Sequence, residues 1–338
     1  MEITKNQTKK SRKEIVMLNL FSGLGGGRLS AERAGLKVKT EYYSEVDPHA
    51  LKVMKKRFPD SIPVGDVRNL KAIDFVHVTM ITAGSPCQNF SLMGSRNGMA
   101  TKIKELTDLK RYTELKRNNY VFTKDDGDSY LFWEFVRLYR EIKALQIKMG
   151  LPVLDFLLEN VKMATKWENV ITKAMGVNPI VIDAALVSAQ NRVRLFWTSL
   201  EGVTQPKDLN IKLGDVIKNA ICGAGFRGRK INGVYEYFKT YTKQLKSNTI
   251  VTSLGNNGKK SGTDKRYGTG YYLTKKGNVE LLKIEHIEVL QCLEKGYTNV
   301  KGVSNTQRIR MTDRHNQWFF NGYLNLRSIR TRRKRTCN

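Results

Sequence analysis

Residues 15–20 (IVMLNL) are apolar almost throughout and run into Phe21-Ser22-Gly23-Leu24-Gly25-Gly26-Gly27, which reads as a buried strand stopped by a glycine turn. Residues 28–34 then read as a helix with Gly35 at its C-cap. A second strand over 40–46 leads into a helix over 48–57, and 79–83 is a third apolar run, stopped by Gly84-Ser85-Pro86-Cys87. Strand, glycine turn, helix, strand, helix, strand is the rhythm of an α/β chain with a doubly wound, mostly parallel sheet. Further along, Leu131, Phe135, Leu138, Ile142 and Leu145 recur at helical spacing within 130–149. Residues 153–158 predict another buried strand, ending at Glu159-Asn160-Val161, and the strand 180–184 and the run 194–197 complete this part. Between them, 94–128 is long, polar and charged with both signs, and is expected to be a mobile loop or insertion.

After Gly202 the pattern changes. Residues 203–283 hold 16 Lys and Arg against 5 Asp and Glu, 11 glycines and interleaved aromatics, and helical periodicity disappears. A small, strand-poor or irregular module is expected there, hung on a main domain over 14–202 and followed by a return segment over 284–326. The last stretch, 327–338, is dominated by arginine and is expected to be disordered.

Charge narrows the partners. With 59 Lys and Arg against 31 Asp and Glu, the net charge is +28, a surplus that makes the compact state repel itself. Nucleic acid is the expected polyanion. The basic residues are not laid out on an amphipathic helix, and no apolar stretch approaches the roughly 18 residues that span a bilayer, so no membrane partner is expected. Cys87, Cys222, Cys292 and Cys337 are widely spaced with no CxxC pair, which argues against a disulfide framework or metal site and for a reducing cytoplasm.

The candidate chemistry sits at strand ends. Gly23-x-Gly25 has Arg28 where a dinucleotide fingerprint has its third glycine, so the turn is read as allowing close approach of a ligand rather than gripping a pyrophosphate. Glu45 follows Gly25 by 20 residues, where a carboxylate can hold ribose hydroxyls, and Asp66 in Gly65-Asp66-Val67 can accept from an adenine amino group. Taken singly, each is as readily an N-cap or a surface residue. In order, they suggest a nucleoside-bearing cofactor without phosphates. Cys87 stands on a loop after a strand, which favours a nucleophile over a small buried hydrophobe. Glu159 follows the apolar run Phe156-Leu157-Leu158, so burial should raise its pKa and make it a proton donor near neutral pH. The alternative is a cap for the next helix. Gln190-x-Arg192-x-Arg194 places alternate side chains on one face, either a solvated edge or a surface that holds a base carbonyl and phosphates.

The ordered set FSGLGGG, SEVD, GDV, GSPCQNFS, ENV and QNRVRLFW resembles the cytosine-5 DNA methyltransferase family over about residues 16–200, and the segments YLFWEFVRL and NPIVIDAALVSAQNRVRLFW look especially like its phage enzymes and the mammalian de novo catalytic domains. The resemblance implies a Rossmann-like class I methyltransferase fold, S-adenosyl-L-methionine as cofactor and double-stranded DNA as substrate. It places Phe21, Ser22, Gly23, Leu24, Gly25, Glu45, Val46, Asp66, Val67 and Pro86 at the cofactor. Cys87 becomes the nucleophile that attacks a flipped cytosine, and Glu159 the acid. Arg192 and Arg194 hold the base and nearby backbone, and Gln88, Asn89, Ser91, Asn160 and Gln190 complete the substrate site. Residues 203–283 fall where the family places its target recognition domain.

One departure stands out. Val303-Ser304-Asn305-Thr306-Gln307-Arg308 resembles the family's ninth motif, but no Gly-Asn-containing tenth motif follows. A divergent equivalent over 316–329 is one reading. An altered gene end, leaving the cofactor pocket open on one side, is the other. A monomer is expected, with a cognate restriction endonuclease as a possible partner. The competing functions are a DNA-binding relative that transfers nothing and a tRNA methyltransferase of the same family.

Overall fold

The computed structural model describes residues 14–86, 105–123, 126–231, 234–241, 245–247, 249 and 268–313. Seven strands make one sheet: β1 (Glu14–Leu20), β2 (Lys37–Ser44), β3 (Ile62–Pro63), β4 (Met80–Gly84), β5 (Asp155–Val161), β6 (Ile180–Asp183) and β7 (Val193–Thr198), in the order β3-β2-β1-β4-β5-β7-β6. The β1–β2, β1–β4, β2–β3 and β4–β5 pairs are parallel, and β7 runs antiparallel to β5 and β6. The expected mostly parallel sheet is present.

Both faces of the sheet are covered, as its apolar strands require. The pleat sends Leu18 and Leu20 of β1 to one face, where they join Phe132, Phe135, Leu138 and Ile142 of α4 (Phe132–Lys148). It sends Ile15 and Met17 to the other, beside Ala31 of α1 (Gly26–Arg33). Helix α2 (Pro48–Arg57) starts where the sequence predicts, with Asp47 accepting from the backbone N–H groups of His49 and Ala50 and Pro48 at its first position. Helix α5 (Thr165–Met175), which the sequence reading leaves out, buries Trp167, Ile171 and Met175 and ends at Gly176 in the left-handed conformation.

Two expectations need correction. Residues 94–128 are not all loop, because α3 (Leu109–Arg117) forms within them, capped by Asp108. Its anchor is distant in sequence. The fully buried Glu134 carboxylate of α4 accepts from the Tyr112 hydroxyl (2.5 Å), Lys116 Nζ (2.6 Å) and Arg137 Nε (2.7 Å). A buried carboxylate is tolerable only with such partners. Second, the 203–283 module is not strand-poor. After the short α6 (Leu213–Val216), strands β8 (Ala220–Ile231), β9 (Val234–Tyr241), β10 (Gly268–Thr274) and β11 (Val279–Leu281) form an antiparallel sheet in the order β11-β10-β8-β9.

The chain then returns to the first domain through α7 (Ile284–Leu290) and α8 (Asn305–Asp313). Buried Glu288 accepts from the Gly296 and Thr298 N–H groups (2.6 and 2.8 Å), from Thr298 Oγ1 (2.5 Å) and from Arg308 Nη2 (3.1 Å), which locks the two helices together. Leu293, Tyr297 and Met311 pack with Leu24, Ala50 and Val53 in one cluster. The return segment therefore reaches α2 and the glycine turn before residue 314. The expectations for 316–338 lie outside the described residues. Among the described residues, no helix is long and apolar enough to cross a membrane.

Candidate functional site

Parallel pairing brings the carboxyl ends of β1, β4 and β5 to one edge of the sheet. Leu20 lies opposite Ala83, and Gly84 opposite Glu159. The glycine turn, the Ser85-Pro86 turn and the Glu159-Asn160 pair are thus neighbours, in the crevice where such sheets hold ligands.

The glycine turn is strained and held. Phe21, Gly23 and Gly25 all have left-handed backbones, with φ of 54°, 53° and 80°. A side chain at Gly25 would put its Cβ 2.4 Å from the Phe58 ring, so only glycine fits. At Gly23 the equivalent space is empty to 4 Å, leaving the backbone open to a close-lying ligand. Ser22 N–H donates to Ser44 O (3.1 Å), Gly25 N–H to Ser22 O (2.9 Å), and the Tyr297 hydroxyl donates to Leu24 O (2.9 Å). Tyr297 is itself clamped by Arg57, whose guanidinium stacks 4.5 Å from its ring centroid and donates to its carbonyl. Tyr297→Phe should cost about 0.5–1.5 kcal/mol, the net worth of one hydrogen bond, read as a shift in the denaturant midpoint at unchanged m-value. An unshifted midpoint would mean that the tyrosine does not hold the turn.

Glu45 faces this turn. Its carboxylate accepts from the N–H groups of Gly23 (2.8 Å), Val46 (2.7 Å) and Asp47 (2.8 Å), and each oxygen has two acceptor positions, so room remains for one more donor. Glu45 and Val46 lie just past β2 rather than at the end of the strand, and the Val46 side chain is exposed. Arg28 turns inward, giving its guanidinium to Glu32 (2.9 Å), Ser61 (2.7 Å) and Asp60 (2.7 Å). Among the described residues, the turn therefore presents an acid and a buried Ser22 hydroxyl without a hydrogen-bond partner, and no cation, to whatever lies against it. That donor set suits a neutral or cationic nucleoside and repels a pyrophosphate. Asp66 caps a 3₁₀ turn over Val67–Asn69 and is gripped by Arg68 through Nε (3.0 Å) and Nη2 (2.5 Å), so here it fulfils the capping alternative. Val67 is buried beside it.

Glu159 is 3% exposed, and Arg194 Nε lies 3.0 Å from its carboxylate. Burial pushes the carboxyl pKa up, and Arg194 and then Arg192 pull it part of the way back. It sits inside β5 rather than at its end, and it caps no helix, since α5 is preceded by Ala164. Asn160 donates from Nδ2 to Ser85 Oγ (3.0 Å), tying β5 to the turn that carries Pro86. Gln190, Arg192 and Arg194 are all buried, which excludes the solvated edge. The arrangement holds a buried carboxyl of raised pKa against the Arg194 guanidinium, within the influence of Arg192, at the carboxyl-end edge of the sheet. Cys87, Gln88, Asn89 and Ser91 lie outside the described residues. Tyr297 and the buried Lys246, described below, gave no sign in the sequence. One is an aromatic in a polar loop and the other a lysine in a basic stretch, and only contacts with distant residues reveal them.

Residues 15–123 match the family model of C-5 cytosine-specific DNA methylase. The chain is 28% identical over 213 residues to the Type II methyltransferase M.NlaIV of Neisseria lactamica, covering 59% of this chain and 46% of that protein. It is 25% identical over 204 residues to the orphan methyltransferase M.SPBetaI of Bacillus phage SPbeta, covering 54% and 44%. The chain thus spans less than half the length of these relatives. Among solved structures, a Spodoptera frugiperda DNMT2 variant superposes with a TM-score of 0.58 at 15% identity, over 94% of this chain and 98% of that one. The chain thus shares the fold of that structure.

Proposed function

We propose that this chain, a member of the C-5 cytosine-specific DNA methylase family by its residues 15–123, moves a methyl group from S-adenosylmethionine to carbon 5 of a cytosine flipped out of duplex DNA. The observation that carries the reading is the buried Glu159–Arg194 pair at 3.0 Å, set beside the Ser85-Pro86 turn and the open glycine turn. Phe21 to Gly25 and Pro86 would line the cofactor, Glu45 would accept from its ribose and Asp66, released by Arg68, from its adenine amino group. When bound, the cofactor supplies an electrophilic methyl group.

The protein's residues do the rest. Carbon 5 of cytosine becomes nucleophilic only when a thiolate adds to carbon 6, the role of Cys87. Glu159, protonated, gives its hydrogen bond to ring nitrogen 3 and takes up the charge that this addition creates. Arg194 holds the carboxyl in place, and Arg192, Gln190 and Asn160 surround the base. Loss of the carbon 5 proton and of the thiolate then restores the ring. The base leaves the stack at a cost of a few kcal/mol, which phosphate contacts from a chain of net charge +28 offset.

Residues 203–283, built around the four-stranded sheet, would read the target sequence. The protein would act as a monomer in the cytoplasm, alone or beside a cognate restriction endonuclease. Bisulfite sequencing of DNA from cells that express the chain should show protected cytosines in one sequence context. Exchanging residues 203–283 for those of a relative with another target should move the context. DNA left fully convertible, with methyl label entering tRNA instead, would overturn the reading.

A further inference from the structure

The turn that leads into Arg192 and β7 is gripped from the side of the four-stranded sheet. Residues 245–247 and 249 run between them, and their backbone bonds go to both. Gly223 N–H of β8 donates to Lys246 O (2.8 Å), Ser247 N–H donates to Ala189 O (2.7 Å), and Asn191 N–H donates to Ser247 O (3.0 Å). Side chains add to this. The buried Lys246 ammonium donates to Ala185 O (2.7 Å), Ser188 O (3.1 Å) and Ile211 O (2.6 Å), and Thr249 Oγ1 donates to Asn191 O (2.5 Å).

The chemistry of Lys246 is unusual for a surface-rich basic segment. A buried ammonium is costly unless its protons are bonded, and three carbonyls can take all three. Two of those carbonyls belong to the turn that leads from β6 into Gln190. The Gln190 side chain is fully buried, and neither of its amide atoms has a hydrogen-bond partner among the described residues. Its orientation is therefore set by its backbone, and the backbone on both sides of it is bonded to Ser247. Two residues later comes Arg192, and four later Arg194, in contact with Glu159.

We infer that residues 245–247 and 249 form a strap by which the four-stranded module sets the position of Gln190, Arg192 and Arg194, with Lys246 as its positioning residue. The inference rests on the reading that these residues hold a flipped cytosine. A displacement of β8 on DNA reaches Lys246 through one hydrogen bond and Asn191 through Ser247. Sequence recognition is thereby coupled to capture of the base, and a correct target registers in turnover more than in affinity.

The test compares the full chain with Lys246→Met and Thr249→Val. A misplacement of about 1 Å can cost about 10²-fold in rate. Lys246→Met should lower kcat on unmethylated mixed-sequence duplex DNA by about that factor, and Thr249→Val by about tenfold, with S-adenosylhomocysteine affinity by calorimetry unchanged. Because Lys246→Met leaves three carbonyls bare and can fail to fold, the milder Thr249→Val decides. Normal turnover in Thr249→Val, or a loss matched by weaker S-adenosylhomocysteine binding, would overturn the strap. Hydrogen exchange gives a readout that does not need catalysis. Duplex DNA should slow exchange at residues 189–192 in the wild type and much less in Thr249→Val, and equal slowing in both, or none in the wild type, also overturns it. Slowing with no methyl transfer by the wild type would instead keep the strap and discard the methyltransferase reading.

Discussion

Cys87→Ser should abolish both methyl transfer and covalent capture of DNA carrying 5-fluorocytosine. After thiolate addition at carbon 6 and methylation at carbon 5, the ring is restored only by loss of the carbon 5 proton. Fluorine in that position cannot leave as a proton does, so a wild-type complex should survive denaturant and migrate as a protein–DNA adduct on a gel. The motivation is position. Gly84 pairs with Glu159, Ser85 is bonded to Asn160, and chain connectivity alone keeps residue 87 within about 11 Å of Gly84. The two described thiols are poor substitutes. Cys222 is buried in β8, and burial pushes the Cys292 thiol up, which leaves less thiolate at neutral pH. An adduct that persists in Cys87→Ser would place the nucleophile elsewhere and remove the central step of the proposed mechanism.

What the sequence made legible follows from where its signals are local. The β1 run, its glycine turn, the caps of α2 and the acid in the apolar run of β5 are each written within about ten residues, the range over which periodicity and turn chemistry act. Helix α3 was hidden because only Leu109, Tyr112 and Leu115 mark its packed face among charges. What anchors it is Glu134, 22 residues from Tyr112 in the sequence. The strands of the basic module were hidden for a related reason. β8 is rich in glycine and arginine and shows no clean alternation, and its strand character comes from pairing with β9 and with β10, beyond a long intervening segment. Burial of Arg192 and Arg194 was likewise unreadable, since an alternating polar strand looks the same at a solvated edge as in a site. The acid–arginine contact exists because β7 is inserted antiparallel beside β5, a fact of topology rather than of any local motif.

Glu159→Gln should reduce turnover by about 10²–10⁴-fold while leaving cofactor affinity nearly unchanged, the usual loss when one positioned acid is removed. The pH behaviour distinguishes this from a packing defect. Burial raises the Glu159 pKa, against the pull of Arg194 and Arg192, so the folded protein holds a proton there that the unfolded chain releases at lower pH. Between the unfolded value, near 4.5, and the raised folded value, the native state binds more protons than the unfolded state. Stability from this group is therefore full below the unfolded value and lost as pH rises through the folded one. Wild type should accordingly lose thermal stability relative to Glu159→Gln as pH rises through that window, because glutamine does not titrate. Single-turnover rates should show the same limb: wild type slows above the raised pKa as the acid form is depleted, and the residual activity of Glu159→Gln is flat there. A wild-type stability difference that grows with pH would show that the arginines have overcome burial and hold Glu159 ionised. Glu159 would then orient the arginine pair and would not donate a proton to the base.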